Sequence, residues 1–268
     1  VKLLVFSDIH LDAVTAGKPR RAEVVEFLRL VRDIAIAEEV ELVIFSGDAH
    51  DSGWLLDPLY SAELIEALFL FHTPVIAIPG NHDVVDTSEL FHDAPISTLT
   101  PVRAAYRFLK AHRHPVHVME RPELVRVGRS TTKDWAVLAL PYVSRAHRAM
   151  NDRWLDEAFE SAQKHVDEGY GLIVVGHLVV PGAAMGSESH EMAKGQDQLF
   201  PVERVAALKP KVVINGHYHA RQVVTVIVSG DSPVTPGLEI VIPGSPLRFT
   251  FGEADEIAKG VTIMELSK

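Results

Sequence analysis

Five times along the chain, an apolar strand-like run ends in a turn carrying side chains that can bind a metal ion. The runs are Leu3 to Phe6, Leu42 to Phe45, Val75 to Ile78, Leu172 to Val175 and Val212 to Ile214. The turns that follow them are Asp8-Ile9-His10, Gly47-Asp48, Gly80-Asn81-His82-Asp83, Gly176-His177 and Gly216-His217-Tyr218-His219. One Gly-His or Gly-Asp turn means little, but five in this order constrain the fold: the turns must gather along one rim of a sheet. Open sheets place their chemistry at the carboxyl ends of strands, where small residues let the backbone turn sharply. Asp, His and Asn supply oxygen and imidazole donors without thiolate, a set suited to manganese, iron or zinc, and a shared carboxylate can bridge two ions.

Between these runs the apolar pattern changes period. Val24, Phe27, Leu28, Val31, Ile34 and Ala35 recur at three and four residues and predict a helix from about Arg21 to Glu38, with a second near Ser61 to Phe71. Alternation of strand and helix through the first half predicts a layered α/β fold with parallel strands. The second half is richer in strands (Leu124 to Val127, Ala136 to Leu140, Val223 to Val228, Glu239 to Ile242 and Val261 to Leu266), with helices at Trp154 to Val166 and Val202 to Ala207. Two mixed β-sheets packed between helices accommodate this pattern. From Val84 to Leu124 no strong strand is visible, Pro95, Pro101 and Pro115 act as breakers, and a helix is expected from Val102 to Ala111.

A chain of 268 residues that is 47% hydrophobic can bury a core by itself, and one domain over residues 1–268 is expected. Cysteine is absent, which excludes disulfides and thiolate metal sites. With no secretory signal visible, a soluble, cytoplasmic protein without membrane contact is expected. A net charge of −10 argues against a broadly basic surface for nucleic acid while leaving room for a local one. The basic residues in view are Lys18, Arg20 and Arg21, whose loop follows His10, and Arg103 and Arg107 on the expected 102–111 helix.

The five turns together read Asp-x-His, Gly-Asp, Gly-Asn-His-Asp, Gly-His and Gly-His-x-His, and the chain so resembles the calcineurin-like metallophosphoesterase superfamily over nearly its whole length. The resemblance implies two divalent ions, Mn2+ first among the candidates, with Mg2+, Fe2+ and Zn2+ as the others. Asp8, His10, Asp48 and His219 would hold one, and Asp48, Asn81, His177 and His217 the other, with Asp48 as the bridge. It implies for His82 support of the transition state or protonation of the leaving oxygen, a task for a group that titrates near neutrality. Asp51 and Asp83 suit hydrogen bonding to those histidines, and equally suit stabilising their own turns. His50 reads as a packing residue, and Tyr218 must point away from both ions.

Gly47-Asp48-Ala49-His50-Asp51-Ser52-Gly53, Val175-Gly176-His177-Leu178, Ile242-Pro243-Gly244-Ser245-Pro246-Leu247-Arg248-Phe249, Phe251-Gly252-Glu253 and Lys259-Gly260 resemble the SbcD-like exonuclease subunits of DNA double-strand-break repair. That branch implies a DNA substrate, an SMC-type ATPase as partner and a homodimer, whereas its capping domain and ATPase-binding segment are expected to be missing here. The rivals are a small-molecule phosphodiesterase or phosphatase on the same metals, and a scaffold without catalysis.

Overall fold

The structure is a computed structural model, described for residues 1–51, 58–69, 71–84, 95–103, 116–127, 135–144, 147–185, 198–228, 237–250, 253 and 259–267. The side chains of residues 58–61 and 69 are not described. Its elements run β1 (Lys2–Phe6), β2 (Val14–Thr15), β3 (Lys18–Pro19), α1 (Arg21–Ala37), β4 (Leu42–Phe45), α2 (Pro58–Phe69), β5 (Val75–Ala77), β6 (Val116–Val118), β7 (Glu123–Val127) and β8 (Trp135–Leu140). There follow α3 (Arg148–Asp167), β9 (Gly171–Gly176), α4 (Val202–Ala207), β10 (Val212–Asn215), β11 (Gln222–Val226), β12 (Leu238–Ile242) and β13 (Thr262–Glu265).

Two mixed sheets form the centre. One has the order β13-β1-β4-β5-β6, the other β11-β12-β10-β9-β8-β7. In the first, β1, β4, β5 and β6 are parallel and only β13 runs against β1. In the second, β12, β10, β9 and β8 are parallel, with antiparallel β11 and β7 at the edges. Parallel strands covered on both faces read as continuous apolar runs, which is what Leu42–Phe45 and Gly171–Gly176 show with every residue buried.

The period-two alternation of each strand decides which core its side chains enter. Leu3, Val5, Leu42, Ile44 and Ile76 meet Val137, Ala139, Ile173, Val175 and Ile214 between the two sheets. The opposite faces carry Leu4, Phe6, Val43 and Phe45 against Val24, Phe27, Leu28 and Val31 of α1 and Leu64 and Leu68 of α2. On the far side Ala136, Leu138, Leu172 and Val174 pack on Ala158, Phe159 and Ala162 of α3 and Val205 of α4. Helix, sheet, sheet, helix is therefore the layer order, and the carboxyl ends of β1, β4, β9 and β10, with the turn after β5, share one rim.

Three details depart from the sequence reading. β6 lies inside the stretch that reads as strandless, where Val116-His117-Val118 pairs in parallel with Val75–Ala77 and is stabilised by a neighbour rather than by its own length. The hairpin of β2 and β3 has two residues per strand, too few for any periodicity to register. α3 begins at Arg148, a turn and a half before Trp154, because its first turns are polar and leave no apolar face to read; its buried residues are Trp154, Ala158, Phe159 and Ala162. Of the expected 102–111 helix, residues 102 and 103 are helical, as the end of a run over 100–103, and the remainder, Arg107 included, lies outside the described residues. Ser52, Gly53, Phe251 and Gly252 also lie outside them. Among the described residues no helix is long and apolar enough to cross a membrane.

Phe6, fully buried, anchors the end of β1 where the first metal-capable turn begins. Its ring meets Phe45 at 5.0 Å, Phe27 at 6.3 Å and Phe71 at 6.4 Å. Phe6→Ala leaves a hole among three aromatic rings, and the expected loss is about 3–5 kcal/mol of unfolding free energy, measured by denaturant titration.

Candidate metal centre

Register brings the turns together. Phe6 pairs with Phe45 and Phe45 with Ala77, so the first three turns leave one sheet side by side; Gly176 pairs with Asn215, so the last two leave the other sheet together. Backbone bonds continue past the strands: Asp8 N–H donates to the Gly47 carbonyl (2.9 Å), Ile9 N–H to Asp48 (2.9 Å) and Gly216 N–H to Gly176 (3.0 Å). Asp8, His10, Asp48 and His217 all have positive φ (54°, 42°, 56° and 80°). Non-glycine residues so placed cost about 1–3 kcal/mol each and persist where surrounding structure enforces them, a pattern that clusters at functional sites.

The side chains form two groups, Asp8 with His10 and His219, and Asp48 with His177 and His217, the potential ligand atoms within each lying within 4.8 Å of one another. Asp48 Oδ2 stands between the groups, 3.2 Å from His177 Nε2 and 4.0 Å from His10 Nε2. Asn81 joins the second group, its Oδ1 3.2 Å from His177 Nε2. His10 Nε2 and His219 Nε2 face each other at 3.1 Å, a separation that suits two ligands of one cation better than two unassisted imidazoles. Asp8 Oδ2 and His217 Nε2 are buried and find no hydrogen-bond partner among the described residues. Buried polar atoms are rarely left so. Imidazole and carboxylate donors in two adjoining groups, with such atoms in each, fit a pair of divalent ions.

Glycine makes the approach possible at two points. A Cβ on Gly80 would stand 2.1 Å from Asp48 Oδ1 and 2.6 Å from His177 Nε2, and one on Gly47, at φ 103°, would stand 2.2 Å from His177 Nδ1. No side chain fits either place without displacing a ligand.

Surrounding groups fix the rings. His177 Nδ1–H donates to the Ser46 carbonyl at 2.6 Å, which directs Nε2 toward Asp48 and Asn81. His10 Nδ1 lies 3.5 Å from Asp51 Oδ1. His82 Nδ1–H donates to the Asp51 carbonyl at 2.7 Å, and its backbone N–H donates to Asp48 Oδ1 at 3.1 Å. Its ring stands edge-on to His10, centroids 5.3 Å apart. Asp83 is wholly buried and, among the described residues, takes up no histidine ring at hydrogen-bond distance: His50 Nδ1 is 3.8 Å away. Its carboxylate instead accepts from the backbone N–H of Ala49, His50 and Gly80 and from Thr98 Oγ1 at 2.6–3.2 Å, tying two turns of the rim to each other. Tyr218 is buried away from both groups, its hydroxyl donating to the Val180 carbonyl and accepting from the Val180 N–H.

Burial and charge set the protonation states. Burial pushes His10 and His217 each down to about 3, so both are neutral at physiological pH and ready to coordinate. Burial would also lower His177, but the adjacent Asp48 charge and hydrogen bond outweigh it and raise this ring to about 9. Burial acts upward on Asp48 too, and the neighbouring histidines, His177 first, overcome it and hold its carboxyl well below the usual range. For Asp8 burial prevails, opposed by His177 and reinforced by Asp48, and its pKa is raised.

Arg20, Arg21 and Arg103 are engaged in ion pairs. Arg20 bonds Glu23 through Nε and Nη2 (both 2.6 Å) and the Arg248 carbonyl through Nη1 (2.7 Å), and lies 5.9 Å from the Phe249 ring centroid. Phe249 in turn contacts His10 at 5.3 Å and His219 at 6.0 Å, so Arg20 does border the first group. Arg21 forks onto Glu63, joining α1 to α2, and Arg103 pairs with buried Glu120. Lys18 sits on exposed β3. Glu253, a buried carboxylate that the sequence reading quoted in a motif without giving it a role, meets His219 Nδ1 at 3.3 Å.

Residues 1–221 match the family model of the calcineurin-like phosphoesterases. The chain is 24% identical to the SbcD subunit of the SbcCD nuclease from Bacillus subtilis (strain 168), over 99% of its own length and 66% of that protein's. It is likewise 24% identical to the SbcD subunit of the SbcCD nuclease from Escherichia coli (strain K12), over 94% of its own length and 62% of that protein's. It therefore spans just under two-thirds of these relatives. Among solved structures it is similar to a dimetal phosphatase from Danio rerio (TM-score 0.51, 11% identity, 91% of this chain and 87% of that one). A purple acid phosphatase from yellow lupin (Lupinus luteus) seeds is similar too (TM-score 0.50, 13% identity, 90% of this chain and 43% of that one). Both likenesses are of fold.

Two outcomes are expected. His177 must shed the proton on Nε2 before that atom can coordinate, so loading manganese between pH 7 and 9 should release protons and tighten as pH rises, levelling off above about 9. Calorimetry in buffers of different ionisation enthalpy checks this, and flat affinity over the interval would contradict it. Gly80→Ala should keep the fold yet lose an ion, because its methyl displaces the Asp48 carboxylate; circular dichroism with manganese stoichiometry measures both.

Proposed function

The chain belongs to the calcineurin-like phosphoesterase family, a metal-dependent hydrolase family, and on that premise we propose that it is a DNA phosphodiester hydrolase of the SbcD type, acting in DNA repair or recombination. The observation that carries its metal-dependent part is the Asp48 carboxylate between the two groups, where it would serve both ions; DNA as the substrate rests on the likeness to the SbcD subunits. Two such ions, manganese in this reading, polarise phosphate oxygens and lower the pKa of a water when bound. Asp8, His10, Asp48 and His219 would hold one; Asp48, Asn81, His177 and His217 would hold the other.

The remaining work belongs to His82. Its Nδ1 is committed to the Asp51 carbonyl, so a proton given to the leaving oxygen comes from Nε2. Asp51 thus steadies His82 through its carbonyl, while its carboxylate lies 3.5 Å from His10 Nδ1. Arg20, beside Phe249 at the edge of the first group, is the basic residue best placed to meet a phosphate flank, with Lys18 next to it on the hairpin. The SMC-type ATPase partner, the homodimer and the cytoplasmic location belong to the same proposal and rest on the SbcD resemblance.

A second reading, a small-molecule phosphodiesterase or phosphatase, is favoured by one observation: Arg20, Arg21 and Arg103 are each bound to a carboxylate, which reduces the charge on offer to a long polyanion. Manganese-dependent cleavage of end-labelled single-stranded and duplex DNA, set beside turnover of an aryl phosphodiester, separates the two. Turnover of the small ester alone would replace the nuclease reading with the second one.

His82→Ala is expected to leave both ions and DNA affinity close to wild type while slowing single-turnover cleavage on the order of 10²–10⁴-fold, with no rescue by manganese. Asn81→Ala should weaken ion binding and recover part of its rate in excess manganese. Loss of an ion from His82→Ala would make that residue a ligand and exclude the role given to it here.

A further inference from the structure

The closing segment of the chain builds a polar cluster against the back of His219. Glu253 is 1% exposed, and among the described residues its carboxylate collects five donors. Oε1 accepts from His219 Nδ1 (3.3 Å) and from the backbone N–H and hydroxyl of Thr250 (3.2 Å each). Oε2 accepts from Lys259 Nζ (2.7 Å) and Ser245 Oγ (3.3 Å). Lys259 Nζ also donates to the main-chain carbonyl of His219 at 3.0 Å and to Ser245 Oγ at 2.8 Å. His219 is therefore gripped twice, at its ring by Glu253 and at its backbone by Lys259, while Ser245 N–H adds a 3.0 Å bond to the same carbonyl.

A buried carboxylate costs several kcal/mol to desolvate unless its neighbours compensate, so this many donors around one glutamate is a built arrangement and not a solvated accident. Its geometry has one consequence for the rim. With Nδ1–H held by Glu253, the His219 ring presents Nε2, the atom 3.1 Å from His10 Nε2. Ser46 does the same for His177 with a neutral carbonyl.

We propose that Glu253, braced by Lys259, is the positioning residue for His219, fixing its tautomer and rotamer so that the ion shared with Asp8 and His10 is bound tightly. This deepens the two-ion reading and rests on it. The Ser245, Glu253 and Lys259 positions thereby acquire a task at the metal centre instead of a contact with substrate.

Manganese titration of the full chain by calorimetry, with thermal unfolding recorded on the same samples, tests this. Glu253→Ala should weaken one of the two ions about 10–100-fold, the usual effect of removing such a partner, and leave the other unchanged. Combined with His219→Ala it should add nothing further, since both changes remove one arrangement. Glu253→Gln, whose amide oxygen can still accept from Nδ1–H, should recover part of the affinity. Should Glu253→Ala fail to fold, Lys259→Met must show a smaller weakening of the same ion. Equal loss of both ions, an effect additive with His219→Ala, or unchanged affinity would overturn the assignment. If His219→Ala itself retains both ions at wild-type affinity, the two-ion reading falls, and this inference with it.

Discussion

A carboxylate that is 2% exposed and still ionised must be surrounded by groups that make good its lost hydration, and at Asp48 those groups are the rim itself. His177 Nε2 lies against one oxygen and the His82 N–H against the other, with His10 beyond. Each comes from a different turn. Holding this charge in place therefore requires β1, β4, β5 and β9 all to end at the same height, which the parallel register supplies. The compensation is mutual, because the carboxylate also keeps His177 protonated in the absence of metal.

Around that charge the rim is fastened by groups with no chemistry of their own. Asp83 gathers three backbone N–H groups and a threonine hydroxyl from neighbouring turns, and Asn215 clamps the His177 turn through both N–H and C=O of Leu178. Four strained non-glycine φ values survive because such ties leave the backbone no alternative. The candidate ligands are thus pre-positioned by polar contacts behind them, and the apolar layers beneath set only where the strands end.

Much of this was legible in the sequence, and the reasons are physical. Asp8, His10, Asp48, Asn81, His177, His217 and His219 each follow a run of apolar residues whose burial on both faces is obligatory, so strand and turn could be placed together. Partners that act from behind could not. Glu253 lies 34 residues after His219 and meets it only through the fold, and Thr98 reaches Asp83 across fifteen residues with no periodic signal. The pairing of Arg20, Arg21 and Arg103 with carboxylates was equally hidden, since a charge pattern shows which residues could pair but not which do. β6 escaped because three residues carry too little period to distinguish a strand from a loop.

The distance in sequence between His10 and His219, two members of one candidate ligand group, has a consequence for how the protein comes into being. His10 and His219 are separated by 209 residues, and the β1–β13 pairing joins Lys2 to Glu265. Contacts this remote are closed late in folding, after the entropy of long loops has been overcome. On the ribosome, the strands that carry Asp8, Asp48 and Asn81 emerge well before the imidazoles that complete the ligand sets. A nascent chain therefore carries half a rim until β9 and β10 have emerged and packed.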